Sequence, residues 1–291
     1  MNKHRLDADS TDQRPAAGVP TLPQRPISRG SAANAPGPAN APTVSVVIPT
    51  RNEKGNIRPT IERMPTLGSH MELIFVDGDS SDGTLDEIER CREEFQGVKD
   101  IKLIHQIPPS SGAGKKMLRL GKGDAVRKGF ALARGDILMI LDGDLTVPPE
   151  DLRNFYLAIV ESRGEFINGN RFFYPLDRRS MPFLNAWANR IFGYLFTWLI
   201  GQSINDTLCG TKVFSRAAYE KIAERRGHFG DMDPFGDFDL LLGAAQVNLR
   251  IIDMPVRYQP RTYGHSKVQR FNHGASLLKI VWLARKKLRL I

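Results

Sequence analysis

The sequence predicts an α/β fold with a mostly parallel central sheet flanked by helices, and three observations lead there. Short apolar runs alternate with stretches of helical spacing along the first half of the chain. That alternation implies βαβ units. The strongest runs end on polar or acidic residues, as strands do where an open α/β sheet meets its ligand. In order, Val44-Ser-Val-Val-Ile48 is a β-branched strand closed by Pro49, and Ile57–Met64 has helical spacing. Glu72-Leu-Ile-Phe-Val76 is a second strand ending at Asp77, followed by a helix over Thr84–Phe95. A third strand falls at Ile101–His105, and the next helix, Asp124–Arg134, sets Val126, Phe130 and Ala133 on one face. Asp136-Ile-Leu-Met-Ile-Leu141 is a fourth strand, ending at Asp142. No internal repeat is found.

Charge is distributed unevenly. The 291 residues carry 41 Lys+Arg against 32 Asp+Glu, a net +9. The last acidic residue is Asp253, and residues 254–291 hold nine basic ones, so the remainder balances at 32 against 32. A uniformly cationic, histone-like protein is excluded. Residues 1–42 contain seven of the 19 prolines and no run of large apolar side chains, and are read as a disordered tail. The expected organisation is that tail, a catalytic-type domain over 43–255, and a basic segment over 256–291. Hydrophobic content of 41% and charge of 25% fit a globular chain. No apolar run reaches the roughly 18–20 residues that cross a bilayer, and the first residues do not form a signal peptide. Two cysteines make neither a disulfide framework nor a zinc cluster, so a reducing cytoplasmic setting is expected.

The strand ends concentrate the chemistry. They carry Pro49-Thr-Arg-Asn-Glu53, Asp77-Gly-Asp-Ser-Ser-Asp-Gly83 and Asp142-Gly-Asp144. Carboxylates gathered at one sheet edge repel one another unless a cation sits among them. Asp142 and Asp144, separated by glycine, can both face one hard ion such as Mg²⁺ or Mn²⁺. A lone Asp-Gly-Asp is more often a turn; its place at a strand end, echoed by Asp77, favours the metal. Asp77–Asp82 does not have EF-hand spacing, since its twelfth position is Ile88. Asp82 fits an Asx turn capping the Thr84 helix, whereas Asp77 is placed to accept hydrogen bonds from a base. Gly112-Ala-Gly-Lys-Lys and Gly121-Lys-Gly-Asp124 lack the Walker A glycine, leaving a basic, glycine-rich loop suited to phosphate. Thr207–Lys212 reads as a tight loop around Gly210, with Cys209 an inert small hydrophobe. Phe235-Gly-Asp-Phe-Asp239 precedes a helical run, Leu240–Ala245; its carboxylates are either bases or helix caps, with Asp237 the better candidate base.

Taken in series, these motifs resemble the family-2 glycosyltransferases of GT-A fold, over Val44 to about Lys267. They are most similar to the branch that makes polyprenyl- and dolichyl-phosphate sugars. Val-Val-Ile-Pro-Thr-Arg-Asn-Glu53, Val76–Thr84, Gly121–Ala125 with Gly129, Asp142-Gly-Asp-Leu145, Gly169-Asn-Arg171, Cys209–Lys212 and Arg261-Thr-Tyr-Gly-His-Ser-Lys267 stand in the family's order. The resemblance implies that Pro49, Glu53 and Asp77 hold the nucleoside, with Lys122 and Asp124 near base, ribose or phosphates. It places Asp142 and Asp144 on the metal, Arg171 at the donor pocket, and Arg261 and Lys267 on phosphate oxygens. The chain departs from the branch at Arg51, often aromatic there, at Thr146, often a glutamine that assists the metal, and at Gly78, commonly Asp.

The implied reaction is an inverting, metal-dependent transfer of a hexose from a nucleotide sugar (UDP-glucose or GDP-mannose type) to a polyprenyl phosphate. A phosphate acceptor is already an anionic nucleophile; a hydroxyl acceptor would need a base, for which Asp237 is the nominee. The alternatives are the same core with a soluble or protein hydroxyl acceptor, and a non-catalytic nucleotide-sugar-binding membrane adaptor. Ala186–Ile200 is apolar nearly all round, with Trp187, Tyr194 and Trp198 suited to a membrane interface. Ser276–Ile291 sets Leu277, Val281, Ala284, Leu288 and Ile291 on one stripe with basic residues elsewhere. These two segments point to an anionic membrane surface and a peripheral location on its cytoplasmic face. No nucleic-acid-binding motif accompanies the basic end.

Overall fold

The computed structural model describes residues 38–106, 121–175, 181, 183–225, 236–264 and 285. Most of the expected tail, the Gly112–Lys116 loop, Lys267, and all of the Ser276–Ile291 segment except Arg285 lie outside them.

Among the described residues seven strands form one sheet, in the order β3-β2-β1-β4-β6-β5-β7. They are β1 (Val44–Thr50), β2 (Met71–Asp77), β3 (Asp100–His105), β4 (Ile137–Ile140), β5 (Phe166–Asn170), β6 (Lys212–Ser215) and β7 (Ile251–Pro255). Pairing is parallel for β1 with β2 and β4, for β2 with β3 and for β5 with β7. Only β6 runs antiparallel to its neighbours, β4 and β5. The expected mostly parallel sheet is therefore present, and helices supply its crossovers.

Those helices are α1 (Lys54–Arg63), α2 (Thr84–Glu94), α3 (Lys122–Leu132), α4 (Leu152–Val160), α5 (Phe183–Ile200), α6 (Arg216–Glu224) and α7 (Asp237–Gln246). Alternating strand residues feed two cores. Val44, Val46, Ile48, Leu73 and Phe75 pack with Ile57, Ile61, Ile88 and Phe155. Val47, Ile74, Val76, Leu138 and Ile140 pack with Val126, Phe130, Phe196 and Phe238. Burial on both faces is why the strands read as continuous apolar runs.

β1 does not stop at Pro49 but continues to Thr50. Val47 faces β4 and accepts from the Leu141 amide at 3.1 Å, so the missing donor of Pro49 falls on that side, beyond the last β4 residue. Proline is tolerated there because the ladder is already ending. Among the described residues no helix is long and apolar enough to cross a membrane. In α5, Phe192 and Phe196 enter the core, while Trp187, Tyr194 and Trp198 remain 59%, 78% and 59% exposed. The Arg285 guanidinium lies over the Trp198 ring, 5.0 Å from its centroid.

Candidate active site at the carboxyl edge of the sheet

The loops leaving β1, β2 and β4 emerge at one edge, and the chain beyond β7 crosses them. Gly143 lets the β4 loop turn hard against β1, since a Cβ there would lie 2.9 Å from Thr50 Cγ2 and 3.1 Å from the Pro49 carbonyl. The loop is pinned by its own side chains. Asp144 Oδ1 accepts from the Thr146 amide at 3.1 Å and from its hydroxyl at 2.7 Å. Thr146 thus orients Asp144, although it is shorter than the glutamine common in the resembling branch.

Each carboxylate of the Asp142-Gly-Asp144 pair meets a different cation. Lys122 Nζ, at the start of α3, lies 2.8 Å from Asp142 Oδ1. Arg261 donates from Nη2 to Asp144 Oδ2 at 2.6 Å and from Nη1 to Glu53 Oε1 at 2.7 Å. Glu53 is buried and its other oxygen accepts from Asn56 Nδ2 at 2.7 Å. Arg261 therefore ties the β1 loop to the β4 loop. The strap bearing it is fixed along its length. Val256 donates to the Asn170 carbonyl at 3.0 Å, Gln259 to the Thr146 carbonyl at 2.8 Å, and Tyr263 Oη to Asp82 Oδ2 at 3.1 Å. A Cβ on Gly55 would collide with the Tyr263 ring, so glycine opens the seat for that aromatic.

The electrostatics follow from burial opposed by opposite charge. Burial pushes the Asp142 carboxyl up, but Lys122, with Lys212 and Arg171, more than offsets this and holds it below the usual range. Burial works to lower the Lys122 ammonium, and Asp142 and Asp237 drive it above its ordinary value. Arg261 is likewise raised, Asp144 and Glu53 outweighing burial.

The other expected residues fall around this centre. Asp77 is buried, and its carboxylate accepts from the Asp79 and Ser80 amides at 3.0 Å each and from the Ser80 hydroxyl at 2.5 Å. Asp82 Oδ1 accepts from the Thr84 amide at 3.0 Å, the Asx turn expected at the start of α2. Gln106 bridges the second and third motifs, its amide to the Asp77 carbonyl at 2.7 Å and its Nε2 to Asp124 Oδ2 at 3.0 Å. Arg171 is paired with fully buried Asp206, through Nε at 2.6 Å and Nη2 at 2.7 Å. Its guanidinium also lies 5.3 Å from the Tyr258 ring centroid. Asp237 sits in the first turn of α7, with Oδ1 3.1 Å from Lys212 Nζ and Oδ2 3.8 Å from Lys122 Nζ.

Lys212, Asp206 and Tyr258 carry no role in the sequence reading. Lys212 was visible only as the last residue of Cys209–Lys212, and its position as the first residue of β6 was not. The loop before it is tight around Gly210, where a Cβ would overlap both the Asp142 carboxylate and the Lys122 ammonium. Cys209 is buried, and burial pushes its thiol up to about 12; Cys91 goes to about 11, again mainly by burial. Both thiols stay neutral at pH 7, so neither is expected to react with iodoacetamide in the native protein while both react after denaturation. Intact-mass measurement checks this. A cavity of about 210 Å³ lined by Ser162, Ser215, Ala218 and Arg250 lies at the opposite end of the sheet, where β4 begins, and takes no part in this arrangement.

Comparison with known proteins agrees with the geometry. The family model described as glycosyl transferase family 2 matches residues 45–114 and 115–223. The polyprenol monophosphomannose synthase of Mycolicibacterium smegmatis is 24% identical over 84% of this chain and 88% of its own length. The Haloferax volcanii glycosyltransferase AglD is 26% identical over 89% of this chain but only 39% of its own length. The Saccharomyces cerevisiae dolichol-phosphate mannosyltransferase is 32% identical over 40% of each chain. The chain thus spans about two-fifths of the length of the latter two. Among solved structures, glucosyl-3-phosphoglycerate synthase from Mycobacterium tuberculosis, in complex with Mn²⁺, UDP and glucosyl-3-phosphoglycerate, superposes with a TM-score of 0.56 at 18% identity. That match covers 84% of this chain and 80% of the other. The mannosyltransferase of Pyrobaculum calidifontis, with GDP-mannose and Mn²⁺, gives 0.52 at 18% identity, over 90% and 68%. The fold is GT-A, and, since the family model spans more than half of the sequence, the chain belongs to glycosyl transferase family 2.

Proposed function

We propose that the chain is an inverting, metal-dependent glycosyltransferase moving a hexose from a UDP-glucose- or GDP-mannose-type donor to polyprenyl phosphate at a membrane surface. The observation that carries this reading is the Asp142-Gly-Asp144 loop, whose two carboxylates are each met by a cation from a separate segment. Two hard oxygen donors at a sheet edge, already matched to positive charge, fit Mg²⁺ or Mn²⁺. Among the described residues no group of three or more His, Cys, Asp or Glu side chains is assembled for a metal. That suits an ion taking its other ligands from substrate phosphates and water. Bound by Asp142 and Asp144, the ion would offset charge on the departing nucleoside diphosphate.

The chain's own cations do the rest. Lys122 and Arg261, each now on a carboxylate, would exchange it for phosphate oxygens, where they would stabilise the charge that develops on departure. Lys267 joins them by resemblance. Pro49, Glu53, Asp77 and Asp124 line the nucleoside end. Arg171, bonded to Asp206, shapes the pocket from behind. An acceptor phosphate attacks as an anion and needs no base, and Asp237 is then free to serve as a brace between two ammonium groups.

Support for a lipid acceptor comes from the near full-length similarity to a polyprenol monophosphomannose synthase. The exposed Trp187, Tyr194 and Trp198 of α5, with Arg285 over the Trp198 ring, and a sequence that carries no acidic residue after Asp253 are suited to hold the enzyme at the cytoplasmic face of an anionic membrane. Polyprenyl phosphate and the corresponding polyprenol, offered in parallel with a nucleotide sugar and Mn²⁺, separate the acceptor classes. Labelled sugar should enter the organic phase with the phosphate alone. Transfer to the alcohol and not the phosphate would overturn this reading and favour a hydroxyl-acceptor enzyme.

A further inference from the structure

We infer that Lys212 is a positioning residue that sets, through Asp237, how strongly Lys122 holds the metal-binding carboxylate of Asp142. The inference rests on the metal reading above and extends it to a residue with no assigned role.

Lys212 is fully buried in β6, paired with Ile140 of β4 and Asn168 of β5. The next residues of that strand, Val213 and Phe214, are also buried, so an apolar side chain would suit the position with less desolvation. What a lysine adds is a donor aimed inward. Its Nζ lies 2.5 Å from the Cys209 carbonyl and 3.1 Å from Asp237 Oδ1. Asp237 Oδ2 lies 3.8 Å from Lys122 Nζ, and Lys122 Nζ lies 2.8 Å from Asp142 Oδ1. Charges alternate along this row, ammonium, carboxylate, ammonium, carboxylate, from the buried start of β6 to the Asp142 loop.

The two Lys122 distances differ by about 1 Å, and Lys212 accounts for the inequality. Because Asp237 already has one ammonium, Lys122 is left to lean on Asp142. Without the Lys212 charge, Lys122 becomes the ammonium nearest Asp237 and is drawn inward, releasing Asp142 for a metal ion. Lys212 also grips the carbonyl next to Gly210, the residue where a Cβ would overlap both Asp142 and Lys122. The row thus tempers metal affinity before the donor arrives, and keeps Lys122 at the edge where a diphosphate can take it.

Mn²⁺ titration of the full chain without nucleotide, followed by the electron paramagnetic resonance of free Mn²⁺, tests this directly. Lys212→Met is close in volume and is expected to bind Mn²⁺ about tenfold more tightly; a 1 Å change in an ion pair at the effective protein dielectric is of that order. Asp237→Asn frees Lys122 to stay on Asp142 and is expected to bind about tenfold more weakly. In a Lys122→Met background, adding Lys212→Met should change affinity by clearly less than tenfold, because most of its effect is relayed and only the direct pull of its charge on Asp142 remains. Full persistence of the effect in that background would mean direct charge repulsion and would overturn the inference. Unchanged or weaker binding by Lys212→Met would do the same. Should Lys212→Met not fold, Asp237→Asn decides, and equal or tighter binding there overturns the relay. Absence of Mn²⁺ binding by the wild-type chain and by both variants would instead remove the metal reading itself.

Discussion

Replacing Asp144 by asparagine is expected to lower turnover by about three orders of magnitude with the fold retained. On the proposed reading, Asp144 would supply a full negative charge to the metal. The amide keeps one oxygen for the Thr146 hydroxyl but turns an NH₂ toward Arg261 or toward the ion. Metal stabilisation of a transferring group is worth several kcal/mol, and about 4 kcal/mol corresponds to a thousandfold in rate. Asp142→Asn should act in the same direction, since Asp142 is the carboxylate held by Lys122 at 2.8 Å. Steady-state rates at saturating Mn²⁺, with far-ultraviolet circular dichroism for the fold, check both. Loss of rate with intact structure is the expected pattern.

Asp206→Ala is expected to act on stability. Asp206 is fully buried and accepts from the Arg171 amide, Nε and Nη2 at 3.1, 2.6 and 2.7 Å, and from the Leu208 amide at 3.1 Å. Truncating it leaves a buried guanidinium without its carboxylate, a change that costs about 3–5 kcal/mol. Chemical denaturation should register this as a lower midpoint. Replacing both partners, Arg171→Met with Asp206→Leu, should recover most of the loss, because an apolar pair carries no desolvation cost. The pH dependence has a definite sign. Burial pushes the Asp206 carboxyl up, Arg171 outweighs it, and the group ends below the usual carboxylate range. A carboxyl depressed in the folded state stabilises above its unfolded pKa, and that contribution is lost as pH falls through its folded value. The gap between wild type and Asp206→Ala should therefore be full near neutrality and narrow only in strong acid.

The first half of the fold was legible because its strands obey local rules. Val44–Thr50, Met71–Asp77 and Ile137–Ile140 are apolar, β-branched in part, and buried on both faces. The second half hid three strands for a reason tied to chemistry. β5 reads Phe-Ile-Asn-Gly-Asn, β6 opens on Lys212 and β7 carries Asp253, so all three break the apolar pattern with polar groups. Asn168 bonds the Asp206 carbonyl and Asp253 Oδ1 at 2.8 Å each, Gly169 gives room to Cys209, and Lys212 reaches Asp237. Places where local propensity and pattern disagree with the observed element are those that shape the site.

The candidate site shows the same division. Asp142, Asp144, Asp77 and Glu53 follow strand ends, so chain order alone placed them at one edge. Arg261 could be placed beside them only through resemblance, since it lies 117 positions beyond Asp144 and reaches it by a strap with no regular structure. The Arg171–Asp206 and Lys212–Asp237 pairs join residues 35 and 25 positions apart through packing. Nothing in spacing or periodicity announces such partners.

The most direct measurement is the mass of the lipid product formed when the full chain is incubated with UDP- and GDP-sugars, Mn²⁺ or Mg²⁺, and a membrane lipid extract. A hexosyl polyprenyl phosphate, formed with one donor, absent with chelator and absent with Asp144→Asn, is the result predicted. A failure to modify any polyprenyl phosphate across all donors and both metals, with sugar appearing on a soluble or protein hydroxyl instead, would contradict it.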